Sequence, residues 1–290
     1  MPALCRAAAI ATDLACGITG RRYVVRASRF VLLRARRDVR NDPTVNGEGL
    51  LQQWVVGLTP RLGRICVVDV GANVGLWSEA MLSAARQAGR LADLDLHAFE
   101  PSAFTFALLS ATLREKGVTL VRMAMSDQTG WAVLHVVAPG AGTNSLHSPA
   151  YADSDMATEK VPVTTLEAYA DRTGLDHITL LKVDAEGHDL AVLRGALLLF
   201  GKQRISVVQF EYNHRWINAR CFLRDAFDLL QPLGYRIGKL TSAGVEFYPR
   251  WDADLETFTE GNYVACLPEI SHHLPAVTWW KAGLTGEDSP

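Results

Sequence analysis

The stretch CVVDVGANVGLWSEAM, Cys66 to Met81, decides how this chain is read. An apolar run reaches Asp69, two glycines (Gly71 and Gly75) then bracket the small or polar Ala72 and Asn73, and helix-like apolar spacing follows. Strand, tight turn and helix start in that order place the turn where open α/β sheets bind ligands, beyond the carboxyl ends of their strands. Gly71 and Gly75 are read as leaving room for a ligand against the backbone, and the amides of the helix start present a positive dipole end to it. The spacing is G-x-x-x-G with an acid two residues before the first glycine. A dinucleotide pyrophosphate site has G-x-G-x-x-G, so the reading turns away from NAD.

Outward from this turn, short β-rich runs alternate with helical patterns, the mark of βαβ units in a mostly parallel sheet. LDLHAFE (94–100) precedes a helix over 102–116, and VTLVRM (118–123) follows it. Thr164 and Glu167 have the spacing of a capping box. ITLLKVD (178–184) and ISVVQFEY (205–212) bracket one helix through LAVLRGALLLF. Both runs are continuously apolar, as central strands covered on both faces are. After a helix over 222–230 come YRIGKL, VEFY and NYVACL, the first two with no room for a crossover helix, which predicts an antiparallel edge. Residues 138–160, rich in Gly, Pro, Ser and Asp, read as an insertion of the lid type. The expected organisation is an Arg-rich segment 1–45, a domain 46–268 and a tail 269–290.

The chain of 290 residues is 49% hydrophobic and 21% charged with a formal net charge of -2, which is globular composition and argues against wholesale nucleic-acid binding. The local exception is Arg21, Arg22, Arg26, Arg29, Arg34, Arg36, Arg37 and Arg40. They are read as a solvated basic helix or strand pair packed on the core, with phosphate, anionic lipid or an acidic substrate as other partners for it. Five cysteines without C-x-x-C pairing fit a reducing compartment, hence a cytoplasmic expectation. Residues 1–16 have a small apolar look, but Asp13 interrupts the run that a secretory signal needs. No later run has the roughly 18 apolar residues of a membrane span.

Two more strand tips carry chemistry. Glu100, followed by Pro101, ends the second strand, where a carboxylate can accept hydrogen bonds from both hydroxyls of a ribose. Ser126 and Asp127 follow the third and can meet an adenine amino group. Three tips, each suited to a different part of one ligand, imply a nucleoside.

The set VVDVGANVGLWSEAM, AFEPSAFTFALL, AMSDQTG, TNSL, VTTLEAYADRTGLDHITLLKVDAEGHDLAVLRGA and LGYRIGKL…NYVAC resembles the FkbM-type family of S-adenosylmethionine-dependent methyltransferases. The resemblance runs from Asn46 to Leu267, and KVDAEGHD is its most specific part. It implies a class I methyltransferase fold: a Rossmann-like α/β fold with a seven-stranded, mostly parallel sheet, an antiparallel edge pair and helices on both faces. It implies methylation of a hydroxyl on a small-molecule acceptor such as a sugar or polyketide. Asp69, Gly71, Asn73 and Gly75, with Ala72 among them, match the loop for the methionine end of S-adenosylmethionine. Glu100 with Pro101 matches the ribose-binding acid, and Ser126 with Asp127 the adenine end. Residues 1–45 match no pattern of the family.

Methyl transfer from a sulfonium needs an aligned nucleophile and a group to take its proton. Asp184, at the tip of the fourth strand, is the first choice of base, with Lys182 on the same face of that strand. Glu186, His188 and Asp189 follow it, and Glu211, Asn213 and His214 follow the fifth strand. Glu186 and Asp189 are equally readable as acids facing a helix dipole, and His188 as a second candidate base. Asp184, Glu186, His188 and Glu211 suit a divalent cation, but their spacing is not diagnostic and no metal ligand is assigned. The alternatives are a nucleic-acid methyltransferase, disfavoured by Lys182-Val183-Asp184-Ala185 where amino-group enzymes carry an N-P-P-Y-like tip, and a nucleotide-binding Rossmann-like protein without methyl transfer.

Overall fold

The structure, a computed structural model, describes residues 2–38, 42, 45–58, 63–148 and 156–282. It divides into two units, Met1–Arg40 and Asn41–Pro290. The first consists of helices α1 (Pro2–Thr19) and α2 (Arg21–Ala35), separated by Gly20 at φ +89°. No residue of α2 is buried.

The second unit begins with α3 (Glu48–Leu58) and runs through β1 (Ile65–Val70), α4 (Leu76–Gln87), β2 (Leu94–Phe99), α5 (Ala103–Leu113) and β3 (Thr119–Val121). A small excursion follows: β4 (Ala124–Met125), β5 (Gly130–Val136) and β6 (Ala157–Thr164). Then come α6 (Leu166–Thr173), β7 (Ile178–Val183), α7 (Asp189–Arg194), α8 (Leu197–Gly201) and β8 (Ile205–Tyr212). The chain finishes with α9 (Leu223–Leu230), β9 (Arg236–Thr241), β10 (Gly244–Tyr248), β11 (Gly261–Cys266), α10 (Pro268–Ser271) and β12 (Ala276–Val277).

The main sheet has the order β12-β10-β9-β11-β8-β7-β1-β2-β3. From β3 to β8 it is parallel, and β11 runs antiparallel to both β8 and β9. Every residue of β1 is buried, and alternate side chains enter different cores. Val68 and Val70 join Phe99, Leu181 and Phe210 on one face, while Ile65 and Val67 join Leu51, Met81 and Val264 on the other. Both faces are therefore covered, which is why the central strands lack polar alternation.

The described sheet has nine strands where seven were expected, because the hairpin partner β10 and the short β12 extend the edge beyond β9. The antiparallel edge is correspondingly wider than a pair. Strands β4, β6 and β5 form a separate small sheet, and residues 157–160 of the expected insertion lie in β6. Residues 149–155 of it lie outside the described residues. In the expected tail, Leu274 and Trp279 are buried.

Two local readings are corrected. The helix cap is Thr165, whose hydroxyl accepts the Ala168 N–H at 3.0 Å, because Thr164 is still paired in the small sheet opposite Met125. Glu167 accepts from the Leu198 N–H and makes no capping box. The helix through LAVLRGALLLF is broken at Gly195, where a Cβ would lie 2.0 Å from the Ser126 carbonyl oxygen. Backbone-to-backbone packing of that closeness ends α7 and starts α8.

Candidate active site

The parallel strands stop at one edge, and their connections hold each other there. The amides of Gly71 and Ala72 donate to the Phe99 carbonyl at 3.0 and 2.8 Å, the Glu100 amide to Val121, and the Asp184 amide to Val70. The tips of β1, β2, β3 and β7 are thus locked side by side. Above them lies a cavity of about 170 Å³. Gly71, Asn73, Glu100, Pro101, Asp184, Glu186 and His188 line it, with Met123, Met125 and Leu134 as an apolar wall. Ala141, Gly142, Asn144 and Leu146, from the segment after β5, complete the lining.

Of the residues singled out in the sequence, Asp69, Ala72, Gly75, Ser126, Asp127 and Glu211 are not part of that lining. Asp69 is fully buried, accepts from the Ser78 hydroxyl at 2.7 Å and pairs with Lys182 at 3.2 Å. Lys182 also donates to the Gly71 carbonyl at 3.0 Å and lies 3.5 Å from Asp184. Burial works against its charge, and the Asp69, Asp184 and Glu48 carboxylates outweigh it, so its pKa stands above the ordinary lysine value. This ammonium ties the loop to the candidate base. No sequence motif marks Lys182 for that role; its place two residues before Asp184 was the available signal.

The glycines correct the reading of the loop. A Cβ on Gly71 would lie 1.9 Å from the Asp184 carbonyl oxygen, and one on Gly75 would press on Leu109 and Leu113 at 3.0 to 3.1 Å. Both residues have φ near that of the left-handed region, +74° and +93°. They are glycines because the protein's own strand tip and helix α5 come close. Room for a ligand is not what demands them.

Glu100 is 7% exposed and accepts from the Ser102 amide at 2.9 Å. Burial pushes its pKa up to about 7, against the pull of the Ser102 and Asn73 amides. Asn73 sits at φ +48°, and its buried Oδ1 has no partner among the described residues. A buried acceptor of that kind is costly unless something donates to it.

His188 is engaged on both ring nitrogens: Nδ1 lies 3.0 Å from His147 Nε2, and Nε2 lies 2.9 Å from the Ser126 hydroxyl. Ser126 in turn lies 3.2 Å from Asp127 Oδ1. Because the carboxylate only accepts, the serine donates to it, His188 Nε2 donates to the serine, and His147 donates to Nδ1. Burial, reinforced by His147, pushes the His188 pKa down to about 4. His147 was not singled out in the sequence; it belongs to the segment after β5, where Ser145 also donates to the Glu186 carbonyl at 2.8 Å.

Asp184, Glu186 and Glu211 bring carboxylate oxygens within 4.8 Å of one another. Glu186, at φ +54°, is paired with Arg215 at 2.9 Å, and burial with the Asp184 charge raises its pKa to about 8. Glu211 accepts from Asn213, and burial holds its carboxyl well above the usual range. Asp189 accepts the Ala185 and Gly187 amides at 3.0 Å each, so it shapes the turn and does not reach the cavity.

An open sheet of this order, with a glycine turn after β1, an acid after β2 and a cavity over the carboxyl ends, defines the class I methyltransferase fold. The chain belongs to the family of the methyltransferase FkbM domain, whose family model matches residues 69–237, more than half of its length. The family is S-adenosylmethionine-dependent. A comparison with curated proteins returns no match. Similar solved structures include a precorrin-6y C5,15-methyltransferase from Geobacter metallireducens GS-15, 10% identical, covering 75% of this chain and 86% of that one with a TM-score of 0.37. Another is the plantazolicin methyltransferase BpumL in complex with SAH, 12% identical, covering 77% and 82% with a TM-score of 0.38. A third is the CurJ carbon methyltransferase, 8% identical, covering 76% of this chain and 53% of that one at 0.42. These likenesses are distant, and the class rests on the family match and the topology.

Proposed function

We propose that this protein transfers a methyl group from S-adenosylmethionine to a hydroxyl oxygen of a small metabolite or sugar, with Asp184 as the base. The observation that carries the reading is the position of Asp184. Its side chain is 36% exposed at the cavity wall and steadied by Lys182, while Glu186 is held by Arg215 and Glu211 by Asn213.

The residues fit the cofactor. The unpartnered Asn73 Oδ1 suits the ammonium of the methionine end, Glu100 the ribose hydroxyls, and Met123, Met125 and Leu134 a flat base. Ser126 and Asp127 lie outside the lining, so they act on the adenine end by ordering His188, which is on the wall. S-adenosylmethionine, when bound, supplies a methyl group already activated on sulfonium. Asp184 takes the proton of the acceptor hydroxyl as that oxygen becomes nucleophilic. Glu186, on the same wall and held by Arg215, is placed to hydrogen-bond a second polar group of the acceptor.

The test is calorimetry with S-adenosylmethionine and its demethylated product, then mass spectrometry after incubation with methyl-labelled cofactor and a panel of hydroxyl compounds. The expected product is heavier by one methyl on oxygen. No cofactor binding, or a label carried only on nitrogen or carbon, rejects the proposal.

A further inference from the structure

The Arg-rich segment lies outside the family match. At about 100° per residue, α2 sorts into two faces. Val24, Ala27, Val31 and Ala35 share an apolar arc with Arg22, Arg26 and Arg29 on the opposite side, while Arg34 lies at the margin of that arc beside Tyr23, and Leu33 and Phe30 stand among or next to the arginines. Tyr23, Phe30 and Val31 are 63%, 69% and 64% exposed. The helix holds five arginines and no acid. The preceding α1 repeats the exposed apolar stripe through Leu4, Leu14 and Ile18 and carries only Arg6 and Asp13 as charges.

We propose that α2, with α1 beside it in sequence, is an interfacial anchor that lies on an anionic lipid surface. Helices of this length are marginal in water without a surface to receive their apolar side. A nucleic acid would answer the arginines and leave Tyr23, Phe30 and Val31 in water. A second copy would cover the apolar stripe but bring five more arginines close with no acid in the helix to meet them. A bilayer interface answers both faces: acyl chains receive the apolar stripe, while headgroup phosphates meet the arginines at its margins. No described helix is long and apolar enough to cross a membrane, so the mode is lying on the surface.

The experiment is co-sedimentation of the full-length protein with vesicles of phosphatidylglycerol and phosphatidylcholine, against phosphatidylcholine alone, at low and high salt. Binding is expected only to the anionic vesicles and should weaken with salt. Joint Arg22→Glu, Arg26→Glu and Arg29→Glu should lower it by about 10²-fold or more, since each basic residue contributes roughly a factor of five. The same positions changed to Lys should retain binding, and Val31→Asp should lose it with every arginine in place. Cofactor binding, unchanged in all variants, reports that the second unit is folded. Equal binding to both vesicle types, no binding to either, or binding indifferent to these substitutions overturns the proposal. A dimer broken by Val31→Asp without vesicle binding would assign the face to a second copy and overturn it too.

Discussion

The main-chain oxygen of Asp184 occupies the place that a β-carbon on Gly71 would need, 1.9 Å away. The loop that lines the cavity and the tip that carries the candidate base are one packed unit, and neither can be moved alone.

Gly71→Ala is therefore expected to damage the fold as well as the pocket. The positive φ and the backbone overlap together should cost at least about 2 kcal/mol. Urea denaturation checks this: a variant of unchanged stability that has merely lost cofactor would return Gly71 to a pure ligand-clearance role.

Glu100→Gln should weaken cofactor binding by roughly 1.5–3 kcal/mol above pH 8, the usual range for hydrogen bonds to a charged group. With a pKa of about 7 in the free protein, the wild-type carboxylate gains a proton as pH falls through that value. Wild-type affinity should then decline and the gap to the variant narrow, which calorimetry at several pH values would detect. A gap independent of pH would count against ribose recognition by the ionised acid.

Asp184→Asn should preserve cofactor affinity and lower the methylation rate by about 10²–10⁴. His188→Ala should leave the rate much closer to wild type, because both ring nitrogens are engaged in the chain from His147 to Ser126. A cation held by Asp184, Glu186 and Glu211 would show as chelator sensitivity restored by added Mg²⁺. Full activity of the Asn variant sinks the assignment of the base.

Stability against pH offers a separate check. Glu186 sheds its proton near its ordinary value when unfolded but only near pH 8 when folded, chiefly through burial. Between those values the unfolded state binds fewer protons, so this group's contribution falls as pH rises. Glu186→Gln should make the decline from pH 4.5 to 8 shallower. Parallel denaturation curves would show that Glu186 is ionised in the folded protein throughout.

Hydrogen exchange over residues 138–148 should slow when the demethylated cofactor and an acceptor are bound together, since Ala141, Gly142 and Asn144 line the cavity. Equal exchange in free and bound protein would argue for a fixed wall.

The fold was legible where residues had one job. ICVVDV and ITLLKV are continuously apolar because both faces are covered, and Glu100 and Asp184 end their strands at the cavity as their positions imply. What escaped the sequence depends on distant partners. Gly71 owes its identity to a carbonyl more than a hundred residues away, and Gly195 to Ser126. Thr164 and Thr165 are chemically identical candidates for a cap, and only the pairing with Met125 decides between them. His147 carries no local pattern, yet it reaches His188.

Ala276 and Val277 pair with Val245 and Glu246, and the Val245 amide donates to the Pro275 carbonyl at 2.8 Å. Those few residues stand between the hydrogen-bonding edge of β10 and any passing strand. A protease cutting just ahead of Pro275 would uncover that edge without touching the pocket. The clipped molecules would be primed to stick to one another, strand against strand. The strand that covers this edge and the strand tips that line the cavity are separate parts of one sheet, so the edge can be uncovered at a place where no cavity residue lies.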